Sequence, residues 1–456
     1  MTAKIGLGLL ALSLATVGCG GLLDVDNPNN VLEEELLLPR TAPSVVNGAL
    51  ASVARGVNAA TLLAATASDE LDWVGSRDAW RQLDFGNLSD PFNEFTDAAF
   101  PFLGEGRWMA DKAIAILEMH RDSARIPATV SHVLPARAYL YGAVAYTTIG
   151  DLFEDWAFSD QQVSAPPMGE DNMRQVYDTA IAYLDRGLAD AVEAGSAGDP
   201  WQLPILAMRA RARHARAVWD LIGNRPVTLP LANGGLVNDA DAVADAQAAL
   251  ASASGDWKLT FTYSPSSVSI GPDQPGVFYS MGGEVNDRQE MRLGDPYVYP
   301  SASNKTWDST RIRDPITGAR DPVLQAAATA FKTAATYPAF TVVSRRELHL
   351  ILAEAALAAG DTATFATQIN ALRGLNSLAA WNPSAPQIRA DSLLWYERQV
   401  NLFLQGRRLA DHYRSGSQSP RWQPTSEAVM QPGRFLPITA RECLSNEFIG
   451  AANCRP

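Results

Sequence analysis

The chain has 456 residues, of which 47% are hydrophobic and 19% charged, an ordinary globular composition with enough apolar material for a large core. Its formal net charge is −13, and such a surface repels phosphate backbones, which argues against a nucleic-acid partner.

Residues 1–18 read as a signal peptide. Lys4 supplies the positive start, and Ile5 to Ala15, apart from Gly6, Gly8 and Ser13, is an apolar stretch too short to span a bilayer as a stable helix. Thr16-Val17-Gly18-Cys19 follows, small residues before a cysteine, the pattern a lipoprotein signal peptidase reads. Acylation of Cys19 would anchor an otherwise soluble domain, with membrane contact through the lipid alone. Thr16 departs from the aliphatic residue usual at its position. No later segment carries about 18 uninterrupted apolar residues. Residues 19–40 then read as a lipidated tether. Asp24 and Asp26 begin like a calcium loop, but Pro28 holds the fifth position and no glycine follows at the sixth, so no calcium site is assigned.

Residues 41–456 are expected to form a single domain, helical over 41–259, loop-rich over 260–338 and helical again over 339–456. Helices are predicted near Ala42–Ala67, Trp108–Arg121, Val130–Ile149, Asn172–Ala194, Leu203–Ile222 and Ala240–Ala251. Leu348–Ala359, Thr364–Leu375 and Leu393–Tyr413 follow. In Asn172–Ala194, Tyr177, Ile181, Leu184 and Leu188 share one helix face, Asp171 and Asn172 suit an N-cap, and Gly195 suits the end. Ala136, Ala138, Gly142, Ala143 and Ala145, and likewise Ala353, Ala355, Ala356, Ala358 and Ala359, are small enough for close helix approach. That fits stacked hairpins of the tetratricopeptide kind, without a strict 34-residue repeat. Trp108, Trp219 and Trp395 lie in helical patterns and are expected in the core.

Two stretches combine aromatic and polar residues as a sugar site needs, rings for the apolar C–H face and polar groups for the hydroxyls. Ser68–Asn87 offers Trp73, Arg77 and Trp80, and Asn286–Arg313 offers Arg288, Arg292, Tyr299 and Trp307. These seven are the candidate ligand-binding residues, and the two stretches are expected to meet as a shallow platform. Tyr297 and Asn304 lie in the second stretch. The structural alternative is that Trp73 and Trp80, seven apart, share a core helix face.

No Walker A loop, HExxH or Gly-x-Ser-x-Gly occurs, and the histidines are scattered, so no catalytic residue, metal site or cofactor is assigned. The run Asp69-Glu70-Leu71-Asp72 would serve a glycosidase only with two carboxyls held at a defined separation. Arg407 and Arg408, near Asp411, are expected to form structural ion pairs. With Cys19 acylated, Cys443 and Cys454 remain as a pair that an oxidising compartment would close into a disulfide. They enclose a short loop, so Cys443→Ser should cost about 2–3 kcal/mol of stability. Thiol alkylation before reduction, followed by intact-mass measurement, should find both sulfurs blocked.

Several segments together resemble the SusD/RagB family of surface nutrient-binding lipoproteins. Leu23-Asp24-Val25-Asp26-Asn27-Pro28-Asn29 follows the candidate lipidated cysteine, as in the family's opening "L-D-V-x-N-P-N". Ala136-Arg137-Ala138-Tyr139 leads to Ile149-Gly150-Asp151-Leu152-Phe153. SRRELHLILAEAALAAGD, from Ser344 to Asp361, precedes Ile369-Asn370-Ala371-Leu372-Arg373. Glu397-Arg398 and FLQGRRLAD, Phe403 to Asp411, resemble the family's "E-R-x-x-E-L-x-F-E-G-x-R-x-x-D-L", with Gln405 where glutamate is usual. Arg434-Phe435-Leu436-Pro437-Ile438 with Glu442 resembles its closing motif. The resemblance implies a mainly α-helical fold with four TPR-like hairpins and a loop-rich ligand face. It implies a non-enzymatic protein without a cofactor, lipid-anchored to the outer membrane and facing the exterior. Such a protein binds a glycan, oligosaccharide or peptide and delivers it to a TonB-dependent, SusC-like transporter. A surface-anchored hydrolase such as a glycoside hydrolase, and a helical protein-interaction scaffold, are the competing readings.

Overall fold

The computed structural model describes residues 33–122, 128–160, 163–223, 226–264, 280–450 and 454. The segment 1–18 expected to be a signal peptide, Cys19 and the Leu23–Asn29 motif lie outside the described residues. The first half is built from α1 (Glu33–Leu36), α2 (Ala42–Ala67), α3 (Asp78–Asp84), α4 (Glu94–Asp122), α5 (Ala128–Leu152), α6 (Arg174–Glu193), α7 (Asp199–Ile222) and α8 (Ala240–Ser252). The second half adds α9 (Pro322–Thr333), α10 (Arg345–Ala358), α11 (Thr362–Gly374), α12 (Ala390–Asn401), α13 (Arg408–Ser415), α14 (Glu427–Met430) and α15 (Ala440–Ser445). Among the described residues six short strands, β1 (Leu71–Trp73), β2 (Lys258–Phe261), β3 (Met291–Leu293), β4 (Val298–Pro300), β5 (Trp307–Thr310) and β6 (Phe340–Ser344), form three antiparallel pairs: β1–β3, β2–β6 and β4–β5.

Helices close in sequence pack together: α2 with α4, α5 with α6, α6 with α7, α7 with α8 and α10 with α11. The small residues of α5 make this possible. A Cβ on Gly142 would sit 2.9 Å from the Tyr183 ring of α6. α2 is long and apolar enough to cross a membrane by composition, yet 72% of its most apolar window is buried within the fold. Its Val46, Val53, Leu62 and Leu63 join Leu103, Leu117 and Tyr139 in the main core. Leu350, Phe365, Ile369, Trp381 and Leu393 form a second cluster among α10, α11 and α12.

Four expectations are corrected. The predicted helix Leu393–Tyr413 is broken into α12 and α13, with Leu404 at φ 59° and Gly406 at φ 79° between them. The break is held from outside, because an oxygen of the buried Glu70 carboxyl accepts the Leu404 N–H at 2.7 Å. Asp171 and Asn172 lie in a 3-10 turn, and the buried Met173 takes the N-cap position of α6 without a side-chain bond. The segment 260–338 contains strands and the twelve-residue α9 beside its loops; Asp321 caps that helix through the Leu324 N–H at 2.8 Å. Trp219 is in the core, whereas Trp108 and Trp395 are only partly buried. Near the C-terminus Cys443 and Cys454 are joined, Cα–Cα 5.7 Å, and bury together with Ile449.

Candidate ligand-binding face

The two aromatic and polar stretches do meet. β1 runs antiparallel to β3, pairing Leu71 with Leu293, Asp72 with Arg292 and Trp73 with Met291. Past the strand, the Glu290 carbonyl accepts the N–H groups of Val74 and Gly75, each at 3.0 Å. The Glu290 carboxylate accepts those of Ser76 at 2.8 Å and Arg77 at 3.0 Å. Gly75 is required here: a Cβ would lie 2.6 Å from the Glu290 Cα. The β4–β5 hairpin is tied to the same place, since Lys305 Nζ donates to the Val74 carbonyl at 3.0 Å.

The joined segments carry aromatic and cationic groups. Trp73 is half-buried against the core, with the Arg81 guanidinium 5.6 Å from its ring centroid. Tyr299 is exposed, with Arg311 4.5 Å from its ring. Arg77 pairs with Glu94 at 2.6 Å and remains partly exposed. Rings with an available face and guanidinium donors beside them can take an apolar sugar face and its hydroxyl rim. Arg311 and Lys305 were not singled out in the sequence; the hairpin pairing that opposes Tyr299 to Ser309 brings Arg311 back toward that ring.

The other four candidates are structural. Trp80 is 1% exposed and stacks on Phe95, ring centroids 3.7 Å apart at 9°. Trp307 is buried in the main core, with Lys332 Nζ 5.3 Å from its ring. Arg292 is buried between Asp72 at 3.1 Å and Asp295 at 2.8 Å. Arg288 is turned onto the buried Glu284 at 2.7 Å. Tyr297 is likewise buried, donating its hydroxyl to Asp69 at 3.2 Å. Of the seven residues, Trp73, Arg77 and Tyr299 are left at the face.

The carboxylate run beneath the face presents nothing to solvent, since Asp69, Glu70 and Asp72 are all buried. Asp69 binds Arg408 through two bonds of 2.7 Å. Burial alone would raise its pKa, but His412 and Arg408 outweigh that and hold it well below the usual range. Glu70 is pushed up to about 8, first by burial and then by the neighbouring Asp69. Asp72 is pushed up to about 7 by burial and by the charge of Asp84. Glu70 and Asp72 therefore hold protons in the folded chain that the unfolded chain releases near its ordinary carboxyl pKa. Their contribution to stability is fully present below that pKa and is lost as pH rises through about 7 to 8. The slope reaches about 1 kcal/mol per pH unit for each group. Glu70→Gln should flatten the fall of melting temperature between pH 6 and 8, and an unchanged slope would contradict the assignment. Among the described residues no group of His, Cys, Asp and Glu is arranged to hold a metal ion.

No protein-family model matches the chain, and no curated protein matches it by sequence. Solved structures do match by shape. A SusD superfamily protein from Bacteroides thetaiotaomicron aligns over 90% of this chain and 98% of its own, with a TM-score of 0.60 at 12% identity. One from Bacteroides fragilis aligns over 90% and 99%, TM-score 0.59 at 13% identity. A laminarin-binding SusD-like protein aligns over 90% and 98%, TM-score 0.52 at 14% identity. With its helical pairs and near-complete mutual coverage, the chain has the fold of the SusD superfamily.

Proposed function

We propose that this protein is a non-catalytic glycan-binding lipoprotein, anchored through Cys19 to the outer membrane, that passes its ligand to a TonB-dependent transporter. The observation that carries the binding reading is the β1–β3 pairing together with the Lys305–Val74 bond, which joins the segments that bear the incompletely buried Trp73, Arg77 and Tyr299. The laminarin-binding protein of the same fold supports a glycan as the ligand class. Titration calorimetry against laminarin and a panel of other polysaccharides tests it. Stacking on an exposed ring is worth on the order of 1–2 kcal/mol, so Trp73→Ala or Tyr299→Ala should weaken binding roughly ten-fold with little change in melting temperature. Failure to bind any polysaccharide in the panel, or release of shorter products from one, would overturn the reading. For the anchor, an alkyne fatty acid should label wild type and leave Cys19→Ser unlabelled. For the partner, the detergent-extracted protein should co-purify with a TonB-dependent transporter.

A further inference from the structure

A cavity of about 590 Å³ lies between α9 and the β2–β6 sheet, with residues of α12 and the α12–α13 junction completing its wall. That is the size of a small-ligand pocket. None of Trp73, Arg77 and Tyr299 lines it. The gap is not the result of a loosely held helix. Asp321, at the start of α9, accepts the Tyr396 hydroxyl from α12. At the other end, Asn286 Nδ2 donates to the carbonyls of Phe331 at 3.1 Å and Ala335 at 2.7 Å. With both ends fixed, α9 offers the cavity Ala326, Ala327, Ala330 and Ala334, small side chains at helical spacing, and three of these, Ala326, Ala330 and Ala334, stay exposed. Larger apolar residues at those positions would fill the space and bury surface. Phe331, Phe340 and Phe403 add ring surface to the wall.

The opposite end is polar and ordered. Arg346 holds Asp256 in a two-bond fork, 2.8 and 3.0 Å, and donates to the Asn401 side chain at 2.8 Å and the Asn376 side chain at 3.2 Å. The charges cancel in that pair, and the Asp256 side chain keeps 44% of its surface exposed. These bonds also fix the amides. Asn376 must turn its oxygen to Arg346, and Gln405 must turn its nitrogen to the Asn401 carbonyl at 3.0 Å. Asn376 Nδ2 and Gln405 Oε1 are thereby left buried with no hydrogen-bond partner among the described residues. A buried donor and a buried acceptor left unmade are both costly. A hydroxyl, which donates and accepts, carries the chemistry that each of these atoms lacks.

We infer that this cavity is a second ligand site, separate from the Trp73–Tyr299 face, that takes a mono- or disaccharide. The alanine and phenylalanine wall receives the C–H face, and the Asp256–Arg346–Asn401 end receives the hydroxyls. The inference rests on this lining alone and stands whether or not the exposed face binds a polymer.

The alanines that line the cavity are also its probes. The purified full chain, labelled with ¹³C at alanine methyls, is titrated with glucose, galactose, mannose, xylose, cellobiose and laminaribiose. Saturable shifts are expected at the methyls of Ala326, Ala327, Ala330 and Ala334 with at least one sugar. Ala327→Leu, which fills the space, and Asp256→Ala, on a partly exposed side chain, should each weaken that response at least ten-fold. Tyr299→Ala should leave it unchanged. The absence of saturable shifts at these methyls with all six sugars overturns the inference. So does a response that survives both cavity variants, or one that Tyr299→Ala abolishes. Because Asp256→Ala removes only a partly exposed carboxylate, its result decides the matter even if Ala327→Leu fails to fold.

Discussion

Glu354→Ala is expected to lower the unfolding free energy by about 3–5 kcal/mol, the cost of breaking a buried ion pair from one side. The Glu354 carboxylate is fully buried and is the shared partner of several groups. It accepts from Arg414, from Arg398 at 3.3 Å, from His214 at 3.0 Å and from the Val237 N–H at 3.0 Å. Arg398 and Arg414 are themselves buried and both reach Asp411, at 2.9 Å and 3.1 Å. Without Glu354, two buried guanidinium groups would share the single carboxylate of Asp411, and the Val237 N–H would lose its acceptor. Burial by itself would raise the pKa of Glu354, but Arg414, His214 and Arg398 outweigh it and hold the carboxyl well below its usual range. A depressed carboxyl pKa contributes stability above the unfolded value and loses it as pH falls, so wild type should weaken on acidification below about pH 4 more than the variant does. Glu354→Gln keeps an acceptor for Val237 and removes only the charge, so it should fall between the two. Chemical denaturation of the three proteins at pH 7 and pH 3.5 checks both points; a loss under about 1 kcal/mol for Glu354→Ala would show that the cluster is far better hydrated than its burial implies.

This cluster also shows how much was legible in the chain. Glu354 belongs to SRRELHLILAEAALAAGD, Arg398 to the Glu397-Arg398 pair and Asp411 to FLQGRRLAD, so the segments that carry the family resemblance converge on one buried network. Periodicity located the helices because it reports which side faces the core, a local property. Partner choice is not local. Arg407 and Arg408 do make ion pairs, but with Glu347 and Asp69, 60 and 339 positions away, and not with the nearby Asp411. The break between α12 and α13 was invisible for the same reason: what holds it is the bond from Leu404 to Glu70. At the proposed ligand face, the two stretches that composition singled out join through β1 and β3. Composition could not rank residues within them, because aromatic and polar side chains are equally common in a wet platform and in its foundations.

Trp80→Ala is the sharpest test of that division, and it too is expected to cost about 3–5 kcal/mol. Seven residues separate Trp73 from Trp80, a spacing that would put both on one helix face. In the fold Trp73 ends β1 and Trp80 lies in α3, so the two rings answer to different neighbours. Trp80 packs flat against Phe95 of α4, and Asn93, just before that helix, donates to the Ala79 carbonyl at 2.9 Å, fixing α3 above α4. Truncation to alanine would leave a cavity one indole wide beneath the platform, with Phe95 stripped of its stacking partner. Trp80→Phe separates volume from chemistry. The Trp80 Nε1 is buried without a hydrogen-bond partner among the described residues, so phenylalanine preserves a stacked ring and removes an unmade donor, and its cost should be about 1 kcal/mol. Trp73→Ala should leave the melting temperature nearly unchanged and weaken glycan binding. Trp80→Ala should lower the melting temperature by several degrees and, measured well below it, leave affinity within about two-fold of wild type. A Trp80→Ala protein as stable as wild type but deficient in binding would put the indole at the ligand after all, and would require α3 to swing away from Phe95 when the ligand arrives.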